Sequence, residues 1–323
     1  MIYRWRFYTP KGFSAEGERL MPRVTVFTPT YNRANVISRV YNSLLKQTYT
    51  DFCWLIVDDG SVDNTKEVVE AYMAEGKVDI SYFYQQNSGK HCAINKAVCL
   101  TKTELFIIAD SDDCFTENAI ERLVSTWDSI PDQKKTQYKG VICRCFDTET
   151  GLPIGRFPKE QFDSNDLEAF FKKKLNFEKW MLFRTDVLRE FPFPEEKGLK
   201  FYPETIVWQR MARKYKTRYI DDALRGYFRD QDNALTHAKT PRFKENVYLW
   251  EHRINHTMDY FWFAPFYFLK GFIGLSRDYC VLGKPFRQVI KIPNSTWKRA
   301  ICICLYPVGK LLSLKYKKKS AGV

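Results

Sequence analysis

The chain has 323 residues, 45% hydrophobic and 28% charged, a balance that excludes a disordered chain and leaves room for one large domain or two. Its net charge of +13 is unevenly placed: residues 231–323 hold sixteen Lys/Arg against five Asp/Glu, so the first 230 are close to neutral. No apolar run reaches the roughly 20 residues that span a bilayer, and the two nearest are broken by Lys270, Pro307 and Lys310.

Nine cysteines, none in a C-x-x-C pair, together with a start that lacks an apolar leader, point to reduced thiols in a cytosolic setting, packed as small apolar side chains. Residues 1–22 have no clear period and read as an extension. Arg23–Thr28 reads as a strand stopped by Pro29, and a helix follows with Val36, Ile37, Val40, Leu44 and Leu45 inward. Phe52–Val57 is a second strand, ending at Asp58-Asp59-Gly60-Ser61, before a helix with Val68, Val69, Tyr72 and Met73 on one face. Ile80–Tyr84 is a third strand. The turn Ser88-Gly89-Lys90 then opens a helix that buries Ala93, Ile94, Ala97 and Val98. Leu105–Ala109 is a fourth strand and runs straight into Asp110-Ser111-Asp112-Asp113. Thr116 is the expected cap of the next helix, with Ile120, Leu123, Val124 and Trp127 inward.

Strand–helix alternation with short loops predicts an α/β fold with a parallel sheet, and ligands in such sheets bind outside the carboxyl ends of the strands. Pro29–Arg33, Asp58–Ser61 and Asp110–Asp113 all fall at such ends. Past Pro131 the alternation stops. Tyr138–Phe146 and Leu152–Phe157 are expected to form a hairpin, Trp180–Phe183 a strand, Phe201–Glu204 the lead into a helix, and Arg218–Ile220 and Leu224–Phe228 two short strands. Beyond Gln231, Val247, Trp250, Ile254, Met258 and Phe261 mark a long amphipathic helix, followed by aromatic and basic segments.

The chemistry is concentrated in a few polar clusters. Asp110, Asp112 and Asp113 are packed closely enough to repel unless a cation neutralises them, and hard Mn²⁺ or Mg²⁺ uses one or two carboxylates together with substrate phosphates. A solvated turn is the plainer alternative. Asp58-Asp59-Gly60-Ser61 is a turn by composition and can also accept from the edge of a base; Tyr31 can offer that base an aromatic face. Gly89-Lys90-His91 at a helix start suits anionic or polyhydroxy groups. Neither G-x-G-x-x-G nor G-x-x-x-x-G-K-[ST] occurs, which argues against dinucleotide redox chemistry and P-loop hydrolysis. His252 and His256 stand four apart without an evident third zinc ligand.

Taken in order, Val24–Arg33, Gln47-Thr48-Tyr49 with Asp51-Phe52, Val57–Ser61 with Asp63-Asn64-Thr65, and Asp110–Asp113 resemble glycosyltransferase family 2, strongly over 23 to about 130 and more loosely to about 230. The resemblance implies a GT-A fold, an inverting reaction and a nucleotide-diphosphate sugar donor, with a UDP-sugar expected. Residues 23–230 would be the catalytic domain (23–130 the nucleotide half, 131–230 the acceptor half), and 231–323 a helical, basic, membrane-associating region. The donor is expected on Pro29, Thr30, Tyr31, Arg33, Asp58, Asp59, Lys90, Asp110 and Ser111, and the metal on Asp112 with His237 as a further ligand. Glu204 stands where the family usually places an aspartate base, and Glu178 and Trp180 would face the acceptor. That acceptor would be a glycan or lipid-linked hydroxyl in surface-polysaccharide assembly, at the inner face of the cytoplasmic membrane. Aromatic Phe261–Phe268, apolar Ile301–Leu314 and the final lysines suit an anionic membrane better than nucleic acid, for which no reading motif is present. A sugar-nucleotide nucleotidyltransferase and a degenerate transferase serving as an assembly partner are the alternative readings.

Overall fold

A computed structural model describes residues 21–228 and 242–320. The strands are β1 Val24–Thr30, β2 Phe52–Asp58, β3 Ile80–Tyr84, β4 Leu105–Ile108, β5 Cys114–Phe115, β6 Tyr138–Asp147, β7 Gln161–Ser164, β8 Lys179–Arg184 and β9 Lys216–Tyr227. The helices among them are α1 Ser38–Leu45, α2 Thr65–Glu75, α3 Lys90–Leu100, α4 Ala119–Asp128, α5 Asp132–Lys135, α6 Asp166–Phe171, α7 Thr185–Glu190 and α8 Glu204–Met211. Then come α9 Phe243–His256, a 3₁₀ turn Met258–Phe263, α10 Pro265–Val281, α11 Phe286–Val289 and α12 Thr296–Ser320.

Two compact units are present. The first comprises, of the described residues, 21–166, Leu175–Lys200 and 210–228; the second comprises Leu167–Lys174, Phe201–Gln209 and 242–320. The C-terminal region therefore takes two earlier segments with it, and the chain crosses between units at α6 and α8 as well as near residue 230.

The first unit holds one sheet in the order β3-β2-β1-β4-β8-β6-β9-β5, with β7 on β9. β3, β2, β1 and β4 are all parallel, as expected for strands joined through α1, α2 and α3. β8 then enters antiparallel between β4 and β6, so the second half of the sheet is mixed. Apolar residues from both faces fill the core: Trp54, Ile107, Ile120, Leu123 and Trp127 are at most 1% exposed. Each such side chain contributes about 1.5–3 kcal/mol when fully buried. One charge is built into this interior. Lys139, fully buried, pairs with Asp166, whose other oxygen accepts from Thr217 Oγ1 at 2.9 Å and Tyr219 Oη at 2.8 Å.

Several expectations are corrected. Residues 152–157 form no strand: the turn at 148–151 makes only one bridge, Phe146 to Pro153, and β6 pairs with β8 and β9 instead. β9 is one strand, not two; register shifts opposite Ile142 and Arg144 absorb Asp221 and Asp222 in its middle. α4 is entered through Asn118 rather than Thr116, whose hydroxyl instead bonds Asn118 Oδ1 at 3.0 Å. Leu45 is 39% exposed and faces outward.

In the second unit α10 packs on α9 and α12. Phe171 stacks on Tyr260 and Phe268, with ring centroids 5.0 and 5.3 Å apart. Buried Asp278 is satisfied by Trp250 Nε1 at 2.7 Å and Arg277 Nε at 2.5 Å. No helix among the described residues is long and apolar enough to cross a membrane.

Candidate active site

β2 and β3 lie to one side of β1 and β4 to the other, so the chain reverses direction across the sheet between β1 and β4. The loops that leave neighbouring strands at such a switch point diverge and open a crevice at the carboxyl edge. Here those loops are Tyr31–Arg33 after β1 and Asp110–Asp113 after β4, with Asp59–Ser61 after β2 alongside.

The first two loops after β1 and β2 are laced together. Asn32, in a left-handed conformation at φ 52, donates its N–H to Ser61 Oγ at 2.8 Å and accepts from Val62 N at 2.9 Å. Arg33 N donates to Thr65 Oγ1 at 3.1 Å, and Ala34 N to Asp63 Oδ2 at 3.2 Å. The Tyr31 ring, 48% exposed, thus stands on a braced loop and offers an open aromatic surface. β1 runs through Pro29 to Thr30, beyond the last residue paired with β4, where a missing N–H is tolerated. Pro29 and Thr30 are buried there, and the Thr30 carbonyl accepts from Asp59 N at 2.8 Å.

Asp58 and Asp59 hold the loops. Asp58, 1% exposed, accepts from Ser61 N at 2.7 Å and Tyr82 Oη at 2.6 Å. Asp59, 5% exposed, accepts from Gln85 Nε2 at 2.8 Å and Ser88 N at 2.7 Å on Oδ1, and from Gly89 N at 2.7 Å on Oδ2. It ties the end of β2 to the turn that starts α3. That turn needs glycine: Gly89 has φ +99, and a Cβ there would lie 2.3 Å from the Lys200 carbonyl oxygen. Residues 85–88 also line a cleft of about 1060 Å³ with α3 and the 192–200 segment, but neither Tyr31 nor the Asp110–Asp113 carboxylates border it. The chemistry lies at the switch point.

The α3 turn delivers Lys90, whose Nζ lies 2.6 Å from Asp110 Oδ1. Burial pushes the Asp110 carboxyl up, but Lys90, then Arg225 and Arg33, outweigh it and hold the group below the ordinary range. Asp113 closes the turn by accepting from Asp110 N at 2.8 Å and faces Arg225 Nε at 3.2 Å. Burial raises its carboxyl, Arg225 opposes, and Asp110 and Asp112 add to the rise. Asp112 is raised too, by burial and then by Asp110, against the pull of Arg33 and Arg225. Ser111 is buried between them.

Arg225 is the residue that sequence reasoning missed. It lies on β9 opposite Phe115, in the short β5 that follows the acidic turn. Its one signal was a lone arginine in the apolar stretch Leu224–Phe228. Trp180 is corrected as well: 2% exposed, it stacks on Phe115 at 4.7 Å and donates to Ile108 O at 2.7 Å, so both its face and its N–H are used in the core. Glu178 is exposed and acts on Arg225 and Lys179 through its charge. Glu204 heads α8 in the second unit as the acid of its first turn. His237 lies outside the described residues.

The donor set suits a hard cation only in part. Among the described residues no group of three or more metal-ligating side chains is gathered, and Lys90 already occupies one side of Asp110. Asp112, where burial and Asp110 disfavour the charged form, is the carboxylate that a cation would relieve, with phosphate oxygens completing the shell.

Residues 25–191, just over half of the chain, match the model of the family described as Glycosyl transferase family 2. The chain belongs to glycosyltransferase family 2. Glycosyltransferase GlyG of Streptococcus pneumoniae serotype 4 is 36% identical over 101 residues, 31% of this chain and 33% of the relative. The chain spans from a third to under half the length of the first curated relatives it matches. Among solved structures, S. aureus TarS 1–349 in complex with UDP-GlcNAc superposes with a TM-score of 0.64 at 18% identity, covering 92% of both chains. GalNAc-T7 with UDP, GalNAc and Mn²⁺ gives 0.50 at 11% identity over 73% of this chain and 49% of that one. The fold, an α/β sheet with flanking helices and a helical C-terminal region, is the GT-A fold that the family resemblance implied.

Proposed function

We propose that the chain is an inverting transferase that moves a sugar from a nucleotide-diphosphate sugar, a UDP-sugar, to a hydroxyl of a glycan or lipid-linked acceptor in surface-polysaccharide synthesis. The observation that carries this reading is the switch-point cluster. An open aromatic, Tyr31, stands on one loop, and a lysine-held carboxylate and an unrelieved one, Asp110 and Asp112, stand on the other. TarS was solved with UDP-GlcNAc and GalNAc-T7 with UDP and Mn²⁺, which supports a uridine donor and a divalent ion.

In this reading Tyr31 stacks on the base. Asp112, with Asp110 beside it, would hold Mn²⁺ or Mg²⁺, which supplies positive charge against the departing diphosphate. Lys90 keeps Asp110 ionised and adds a second cation near the same phosphates. Glu204 takes the proton of the acceptor hydroxyl as its oxygen attacks the anomeric carbon. The carbon–oxygen bond to the diphosphate breaks on the opposite face, and its electron pair leaves with the phosphate. Charge builds on the sugar ring in the transition state, as in glycoside chemistry.

The test is release of nucleoside diphosphate from a panel of sugar nucleotides, with and without Mn²⁺, for the wild type, Asp112→Ala and Glu204→Gln. A metal-dependent release that falls by about 100-fold or more in each variant is expected, the scale of losing a charge-stabilising or proton-transfer group. Full single-turnover transfer by Asp112→Ala overturns the metal assignment. Full transfer by Glu204→Gln overturns the base.

A further inference from the structure

Helix α12 carries apolar side chains on two faces. On its inner face Cys302, Gly309 and Ser313 are buried, a Cβ on Gly309 would lie 2.5 Å from the Ser276 Cβ of α10, and half-buried Tyr306 and Tyr316 pack on Phe286 and Phe243. Its outer face carries large apolar side chains as well. Trp297, Ile303, Val308, Leu311 and Leu314 are 53%, 47%, 44%, 67% and 49% exposed. At 3.6 residues per turn these five fall on one face, with Arg299 and Lys310 along one border and Lys315 in line with Trp297 near the other end of the helix, all three exposed. A helix packed inside a protein normally has one apolar face; here a second set of large apolar residues is left outside.

A second exposed aromatic segment precedes α12 in the same unit. From the 3₁₀ turn and the start of α10, Trp262 and Phe266 are 86% and 75% exposed. No acidic residue follows Asp278, so nothing on α12 offsets its basic residues, and the sequence adds Lys317, Lys318 and Lys319 at its end. Scattered apolar residues are ordinary on a protein surface, but a continuous stripe edged by one sign of charge is not.

We propose that α12 docks the chain in the plane of an anionic lipid surface. The apolar stripe would enter the boundary between headgroups and acyl chains, and Lys310, Lys315 and Arg299 would meet the lipid phosphates. Pro307 and the lysines within the helix favour lying on the bilayer over crossing it, in keeping with the absence of a spanning helix among the described residues. A second copy of the chain fits less well. Two such faces would bring like charges together without an acidic partner.

The experiment is sedimentation of the full chain with vesicles of phosphatidylcholine, with and without phosphatidylglycerol, at low and high salt. Salt-sensitive binding to the anionic vesicles is expected. The double variant Ile303→Glu/Leu311→Glu should lower partitioning by more than about tenfold, and Lys310→Gln and Lys315→Gln by about fivefold each. Trp297→Ala, milder for the fold, serves as an independent probe and should weaken binding in the same direction. Far-UV circular dichroism of each variant guards against misfolding. Absence of binding, or equal binding by wild type and Ile303→Glu/Leu311→Glu, overturns the proposal. So does a dimer in sedimentation velocity that the same double variant abolishes, which would assign the stripe to a second copy. None of these residues is assigned to sugar transfer, so donor turnover with a soluble acceptor should be unchanged, and the membrane and transfer readings fail separately.

Discussion

Asp59→Asn separates what holds the site from what the site binds. The substitution keeps shape and changes one oxygen into an NH₂. In the native chain Asp59 Oδ1 takes two donors, Gln85 Nε2 and Ser88 N, and Oδ2 takes the buried Gly89 N at 2.7 Å. An asparagine can keep its oxygen on the first pair, now as neutral bonds. Its NH₂ then faces the Gly89 N–H, a donor against a donor. Leaving a buried donor unsatisfied costs about 1–3 kcal/mol, and bonds to a charged acceptor lose further when the charge goes. A loss of about 2–4 kcal/mol is therefore expected in ligand-free protein, read as a lower urea midpoint by far-UV circular dichroism with an unchanged slope. Lys90 rides on the same turn, so its grip on Asp110 should loosen together with the stability. A variant as stable as wild type that merely binds donor more weakly would refute the argument and return Asp59 to a purely ligand-facing role.

Three further outcomes follow from the same geometry. Arg225→Met leaves Asp113 buried beside two other carboxylates and should cost about 3–5 kcal/mol; adding Asp113→Asn should recover most of that, and urea melts showing additive losses would count against the pairing. Gly89→Ala meets both a φ of +99 and the Lys200 carbonyl at 2.3 Å, so it should lower stability by at least about 1–3 kcal/mol and by more than Gly151→Ala, which shares a positive φ of +70 but has nothing within 4 Å of an added Cβ. His91 is 2% exposed, and burial holds its imidazole below the ordinary 6.5 despite Glu195 and Asp59. The unfolded chain thus binds this proton more readily. Stability should be unaffected by His91 above about pH 7.5 and should fall as pH drops through 6.5, by up to about 1.4 kcal/mol per unit, until the native ring itself protonates. Urea midpoints at pH 7.5 and 5.5 check this, and His91→Gln should flatten the difference.

The parallel half of the sheet was legible because its strands are apolar runs bounded by turn residues, and the alternation of helix and strand leaves few ways to connect them. Phe52–Asp58 and Ile80–Tyr84 stand where the pattern placed them. β9 was not legible, because Asp221 and Asp222 interrupt its pattern. Asp221 bonds Phe157 N at 3.0 Å and pairs with Arg144 at 2.8 Å, and Asp222 pairs with Arg122 at 2.9 Å, so both are satisfied from elsewhere in the chain and the strand continues. β7, Gln161–Ser164, is short and mostly polar, and its strand pairing is with β9. The same limit applies to the site. Asp58-Asp59 and Asp110-Ser111-Asp112-Asp113 look alike as acidic strand ends. Only the donors at Tyr82, Gln85, Ser88 and Gly89, all distant in sequence, show that the first pair is engaged in holding loops.

That difference gives the acidic turn a charge count with a consequence. Three carboxylates share it, and two cations are paired with them: Lys90 on Asp110 and Arg225 on Asp113. Among the described residues Asp112 has no ion pair, and both burial and Asp110 disfavour its ionised form. A group kept charged against its surroundings is a strain the ligand-free chain carries for the sake of what binds there. Asp112→Asn should therefore raise the urea midpoint of the ligand-free protein, by an amount on the order of 1 kcal/mol, while removing metal-dependent turnover. Asp113→Asn should not be stabilising in the same way, since it takes the counter-ion from Arg225 and weakens the bond that closes the turn at Asp110 N. If Asp112→Asn instead destabilises the chain as much as Asp113→Asn does, Asp112 belongs to the scaffold and the cation must rest elsewhere.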